Sequence, residues 1–328
     1  MTRVRHYYEV TIPSYTLDEF KTHFRLSRDT FESTCQRLST VNAYNNQKGP
    51  APNLEKELLM FLWYLGNLES FRSMADRFGT SKGSFHASVT RVSSSLISVM
   101  AEVIRWPLSQ AELNETCQKF GENCQFQNVV GALDGSHIPI KAPKHQPQAY
   151  YNRKKFYSVV LLACCNSKME FTYVWTGNPG STHDATVMRM SDLFQKSDEK
   201  IPVGYVILGD SAFPLLQWLI TPFRNCGNLT EQQRKFNKEH SRSRQVIERS
   251  FGLLKCRFRR LLRFESSKIK IIVESILAAC VLHNLRISDT DFIEVPDEFE
   301  ACYDMPPAHD GHQLQGIQTR QQMMNQLI

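Results

Sequence analysis

A chain of 328 residues is long enough for about two domains with real cores, and 41% hydrophobic against 22% charged residues describes a folded globular protein, not a disordered one. Nine cysteines, odd in number and without a CxxC pair, argue against a disulfide framework or a zinc module and favour a reducing compartment. MTRVRHYYEV has no apolar signal-peptide core, and the longest apolar run, IKIIVESILAACVLHNL, is interrupted by Glu274 and His283, so a buried helix is expected there and no membrane association.

The first 110 residues read as a helical domain. NLEKELLMFLWYLGN places Leu54, Leu58, Phe61, Leu62 and Leu65 on one helical face, with Asn53 as N-cap and Gly66 as stop. In ESFRSMADRFGTSKGSFHASVTRVSSSL, a short helix (Phe71, Met74, Ala75, Phe78), a turn at Gly79 and a longer helix (Phe85, Val89, Val92, Leu96) follow one another. This is helix-turn-helix spacing. On that reading the second helix enters a DNA groove near its N-terminus, with Lys82, Ser84, His86, Thr90 and Arg91 able to touch DNA. A plain three-helix bundle has the same spacing, so both readings stand.

Residues 111–124 are expected to link this domain to a second one over 125–286, where the rhythm changes to strands: FQNVVGALDGSHIPI, FYSVVLLACCN and MEFTYVWTGNPG, punctuated by Asn-Ser and Gly-Asn-Pro-Gly turns. A helix follows in HDATVMRMSDLFQ, then a fourth strand in VGYVILGDSAFP, then helices in LLQWLITPF, in the basic stretch after Glu231 and in the apolar run before residue 286. The expected fold is α/β, a mixed sheet flanked by helices. The net charge is +6, but Glu231 to Lys270 alone holds 13 Lys or Arg against 4 Glu, a local excess that reads as a polyanion footprint or as a solvated helix face. From 287 to 328 a flexible tail is expected, with eight acids and no Lys or Arg up to residue 310.

Asp134 interrupts the apolar first strand, and Asp210 ends the apolar fourth. A buried unpaired carboxylate is costly, so each calls for a partner. If those two strands are neighbours, the aspartates converge at the strand ends where open α/β sheets gather function. Glu248 sits on the basic helix next to the stripe Ile247, Phe251, Leu254, Phe258 and Leu261, with Gly252 one turn below it. As a set, three carboxylates suit Mg²⁺ or Mn²⁺ and two-metal phosphodiester chemistry. Taken singly, each acid reads as a salt-bridged residue, for example Glu248 with Arg244 at i, i+4.

The blocks GALDGSHIPI, YYNRKKFYSVVLLACCN, GSTHDATVMRMS, YVILGDSAFP, SRSRQVIERSFGLLKCRFR and AACVLHNL resemble PIF/Harbinger-superfamily DDE transposases and the nuclease-like vertebrate proteins derived from them. The resemblance implies an RNase H-like sheet, preceded here by the helix-turn-helix-like domain. It also implies a catalytic and metal-binding triad of Asp134, Asp210 and Glu248, transposon-end and target DNA as substrate, and a separate Myb-like DNA-binding partner. A nuclear location, or a cytoplasmic one without a partner, and self-association are expected with it. Domesticated cutting without transposition, and an inactive DNA-binding or adaptor role, are the alternatives.

Secondary candidates follow. Asp184 reads as the N-cap of its helix in preference to a fourth acid; His137 points to the face of the strand away from Asp134, and His283 reads as a core histidine. YYNRKKFY interleaves Tyr150, Tyr151, Phe156 and Tyr157 with Arg153, Lys154 and Lys155, which suits stacked bases and held phosphates or a charge-guarded strand edge. Arg244, Lys255, Arg257, Arg259 and Arg260 are the candidates for phosphate contact on the basic helix.

Overall fold

A computed structural model describes residues 6–41, 53–122, 124–287 and 314–327. Two compact units share the chain: one takes residues 1–103, 138–147 and 253–294, the other 104–137, 148–252 and 295–328.

The first unit is helical because each run has both an apolar stripe and a capping side chain. Helix α1 (Leu17–Phe24) starts at Thr16 with a reciprocal Thr16–Glu19 capping box, and α2 (Arg28–Ser39) starts at Ser27. Helix α3 (Leu54–Gly66) is capped by Asn53, whose Oδ1 accepts from Lys56 N at 2.9 Å; Leu58 through Gly66 are all buried. Being apolar all round, α3 forms the centre of this unit. Helices α4 (Phe71–Arg77) and α5 (Lys82–Ser98), capped by Ser70 and Ser81, follow it. Gly79 turns the chain between them at φ +64°, a conformation that glycine adopts without strain. The expected short helix, glycine turn and longer helix are therefore present, an arrangement that the helix-turn-helix and the plain three-helix readings share.

Three arginines expected to face DNA are committed inside this unit. Arg91 is ion-paired to Glu57; Arg260 donates to the carbonyls of Tyr64 (3.0 Å) and Glu69 (2.8 Å); Arg257 is fully buried, 3.4 Å from His283 Nδ1. The basic run after Glu231 is expected to offer Arg257, Arg259 and Arg260 for phosphate contact, but the α-helix stops at Arg257 and a 3₁₀ turn, Arg259–Leu262, folds Arg260 inward. His283 is a core residue, as expected.

In the second unit the expected linker is helix α6 (Gln110–Gly121), opened by a Ser109–Glu112 capping box. Strands β1 (Val129–Pro139), β2 (Ser158–Cys165), β3 (Phe171–Pro179), β4 (Val206–Gly209) and β5 (Leu219–Ile220) form one sheet in the order β3-β2-β1-β4-β5. β2 and β3 are antiparallel; β1, β4 and β5 run parallel. β2 and β4 are buried along their whole length, which explains their unbroken apolar runs. Helix α7 (Asp184–Met190) and the 27-residue helix α8 (Glu231–Arg257) complete this layer.

Two expectations fail here. LLQWLITPF is not a helix: Pro214 and Pro222 leave room for only about two turns between them, and Leu219–Ile220 instead pair in parallel with Ile207–Leu208 of β4. The tail is not flexible throughout, because Leu314–Asn325 is a helix whose Arg320 donates to the carbonyls of Thr221 (3.3 Å) and Pro222 (3.2 Å) and lies 4.0 Å over the Phe223 ring. The acidic stretch 288–313 lies outside the described residues.

Candidate active site

β1 and β4 are neighbours, and their register carries Asp134 to Asp210. Leu133 pairs with Gly209, so the next residue on each strand is an aspartate beside an aspartate. Asp210 ends its strand by accepting from Ala212 N at 2.9 Å, and Asp134 accepts from Gly135 N at 2.8 Å. Gly209 permits this close ending, since a Cβ there would lie 2.9 Å from Leu219 Cδ1.

Glu248 reaches the same place from α8 through Arg244, one helical turn earlier. The Arg244 guanidinium donates to Asp134 Oδ2 at 3.0 Å and to Glu248, and its side chain is only 4% exposed. Arg244 is thus no surface phosphate contact: it lies among the acids. The i, i+4 ion pair expected of Glu248 with Arg244 is present, and it joins Glu248 to the cluster.

Asp184 was read as an N-cap, and this is corrected. His183 occupies the cap position without a side-chain cap bond, and Asp184 is the first residue of α7. Its carboxylate packs on Gly135, where a Cβ would stand 2.5 Å from Oδ1. Asp184 is therefore the acid that sequence reasoning set aside; the signal available for it was Gly135, which directly follows Asp134 and leaves room for a second carboxylate.

Crowding shows in the ionisation of the group. Burial, then the charge of Asp210, pushes Asp134 up to about 7 against the pull of Arg244. Burial, then Asp134, pushes Asp184 up to about 6, with Arg153 and Lys154 acting the other way. Burial, with Asp184 and Glu248 outweighed in part by Arg244, raises Asp210 to about 6. Among the described residues no three acids, histidines or cysteines are arranged to enclose a metal ion, because the guanidinium stands between Asp134 and Glu248. The donor set is nonetheless of the right chemistry: carboxylate oxygens in excess over fixed cations fit a hard divalent ion.

The other expected residues divide by exposure. Arg153, Lys154 and Lys155 are exposed on the turn after Tyr150, and the first two act on Asp184. Tyr151 and Tyr157 pair across this turn in an antiparallel bridge, rings 5.2 Å apart, so these two contact each other. His137 is hydrogen-bonded to Ser158 Oγ at 3.0 Å, a structural role. In the helical unit Lys82 is exposed and His86 half-buried, its ring 5.6 Å from that of Phe71; Arg259 is exposed and Lys255 half-buried.

A sheet that sets two aspartates side by side, with a helix-borne glutamate joined to them, has the acid complement of a DDE nuclease. Residues 133–284 match the family model described as DDE superfamily endonuclease, and residues 15–98 match a domain of unknown function. The chain is 31% identical over 247 residues to "Putative nuclease HARBI1" of Rattus norvegicus, covering 74% of this chain and 69% of that protein; the Homo sapiens protein of the same name matches at the same identity and coverage. "Protein ALP1-like" of Arabidopsis thaliana is 28% identical over 295 residues, 83% of this chain and 71% of that protein. The chain belongs to the DDE endonuclease superfamily, in the group of Harbinger-transposase-derived nucleases. No solved structure matches it. The endonuclease domain implies a divalent metal and DNA as substrate, and no described helix is long and apolar enough to cross a membrane.

Proposed function

We propose that the second unit is an RNase H-like catalytic domain that cuts DNA phosphodiester bonds with Mg²⁺ or Mn²⁺ held by Asp134, Asp210 and Glu248, Asp184 lying beside them. The strand order β3-β2-β1-β4-β5 and the register that juxtaposes Asp134 and Asp210 support this reading. When bound, the metal supplies Lewis-acid stabilisation of the phosphodiester and an activated water or hydroxyl. The protein's own part is positional. β1 and β4 fix two carboxylates at one level, Arg244 holds Glu248 against them, and Arg153 and Lys154 place positive charge at the edge where a phosphate would approach. Joining freed 3′-hydroxyls to target DNA is the further step of a transposase. The DNA substrate supports a nuclear site of action, and the Harbinger resemblance supports a Myb-like partner.

The observation that carries the proposal is the adjacency of Asp134 and Asp210. Nicking of supercoiled plasmid with Mg²⁺ or Mn²⁺ tests it: Asp134→Ala and Asp210→Ala should each lose about a thousandfold or more, of order 4 kcal/mol of barrier, with the melting transition retained. Cleavage that persists in either variant overturns the assignment. Absence of cleavage in the unmodified chain favours the adaptor reading, which the guanidinium among the acids also suits.

A further inference from the structure

Three of the arginines in the Glu231–Lys270 stretch are buried or paired with the acids, yet the stretch stays strongly basic. Part of its accessible charge lies along α8. Arg234, Lys238, Arg242 and Arg249 are exposed, spaced four, four and seven residues apart, with exposed Gln245 in the one gap. That spacing keeps them on a single face of an α-helix over about 22 Å, and Arg249, the residue after Glu248, points about 100° around the axis from it. The stripe therefore runs alongside the carboxylates and not behind them.

Of the three acids of α8 only Glu231, one turn before Arg234, is exposed on this face, and it offsets one of the four cations. Glu248 belongs to the cluster, and Glu239 is buried, accepting from Gln125 N at 2.9 Å with Arg242 3.7 Å away. Arg242 stays 63% exposed despite that contact. At its far end the stripe opens into a cleft of about 320 Å³, lined in part by Ser167, Arg242, Ser243, Gln245 and Arg249, that is richer in polar than in apolar surface. Guanidiniums and hydroxyls around an open polar cleft suit phosphate oxygens.

We infer that this face of α8 is a track for the phosphate backbone of DNA, leading away from the cut site and ending in the Arg242–Arg249 cleft. The inference rests on the nuclease reading for the identity of the polyanion. Cations about 6 Å apart from Arg234 to Arg242, and about 10 Å apart from Arg242 to Arg249, follow the closely spaced charges of a nucleic-acid strand. Such contacts carry affinity without sequence choice, and their mark is salt dependence.

The test uses the full chain, a duplex oligonucleotide and EDTA to prevent cutting, with affinity followed by fluorescence anisotropy across a KCl series. Arg242→Gln with Arg249→Gln should lower the slope of log K against log [KCl] by about 2, equally for unrelated sequences. Arg234→Gln with Lys238→Gln should do the same. Lys196→Gln, an exposed lysine elsewhere in this unit, should leave the slope alone. Circular dichroism melts that coincide with the unmodified chain confirm folding. An unchanged slope in both double variants, or an equal fall in Lys196→Gln, overturns the track and leaves a merely solvated face. The two readings fail separately: DNA bound through these residues but never cut with Mn²⁺ retains the track and removes the nuclease, whereas cutting with unchanged slopes does the reverse.

Discussion

Each unit sets an arginine against carboxylates, and the two sites balance differently. In the helical unit Arg91 meets Glu57 through Nε (2.8 Å) and Nη2 (3.0 Å), and Ser88 Oγ donates to the same carboxylate at 3.0 Å. One acid faces one guanidinium, and the pair is complete. In the sheet unit Arg244 serves Asp134 and Glu248 directly and acts on Asp210 as well, with Asp184 packed alongside. There the burial of acids outruns the cation, and three of them are raised towards neutral pH. A balanced pair is architecture; an unbalanced one is a place that another cation can complete.

The largest expected effect breaks the balanced pair. Glu57→Ala takes its carboxylate from Arg91, which cannot deprotonate at any useful pH, and removes the acceptor of Ser88, so about 3 kcal/mol of stability should be lost. Urea unfolding followed by circular dichroism measures this. A loss near that of an ordinary surface change would mean that the Glu57–Arg91 pair is no more structural than an exposed one.

The contrast between these sites explains what the sequence could and could not show. Asp134 and Asp210 were legible because a charge inside an apolar strand violates the strand's own pattern, and parallel pairing of those strands needed only one assumption. The cap at Asn53 and the turn at Gly79 were legible because their chemistry is local. What was hidden depends on packing between distant segments. Arg260 looks like any basic surface residue until the backbone of Tyr64 and Glu69 is seen beneath it. Asp184 serves equally well as a cap until Gly135 is seen under its carboxylate. β5 was hidden because Leu219–Ile220 is strand only by virtue of the β4 edge beside it.

A second measurement asks whether the sheet unit holds another cation for its acids. His240, one turn before Arg244 on α8, is the candidate, and it is neutral: burial, with Arg244 and Arg320 adding to it, pushes the imidazole down to about 4, although Nε2 donates to Ile220 O at 3.0 Å. An unfolded histidine titrates at about 6.5, so between that value and 4 the unfolded chain binds the extra proton. Stability from His240 is therefore whole above pH 6.5 and is lost as pH falls towards 4. At pH 5 the loss should be about 2 kcal/mol, and it should vanish in His240→Gln. The raised aspartates act with the opposite sign, losing stability as pH rises from about 4 towards 7, so the comparison is the difference between the two proteins at each pH. An identical pH profile in the variant would mean that His240 is charged in the fold and that the acids have a second cation after all.

The smallest effect sharpens the contrast most, because it removes an arginine from the unbalanced site instead of an acid from the balanced one. Arg244→Gln strands carboxylates, and these, unlike Arg91, can take up a proton. Asp134 already titrates at about 7, so a further rise of about one unit costs only about 1 kcal/mol. The sign follows from the raised folded-state value of Asp134: near pH 6 its protonated carboxyl contributes little to the difference between variant and parent, and its part of the gap should open as pH rises through 7 to 8. Mg²⁺ should close it, since an ion that binds only the folded chain adds about 2.7 kcal/mol at a hundred times its dissociation constant. Thermal melts at two pH values, with and without Mg²⁺, resolve these outcomes. A loss as large as that of Glu57→Ala, independent of pH and untouched by Mg²⁺, would make Arg244 a structural partner like Arg91 and erase the distinction between the sites.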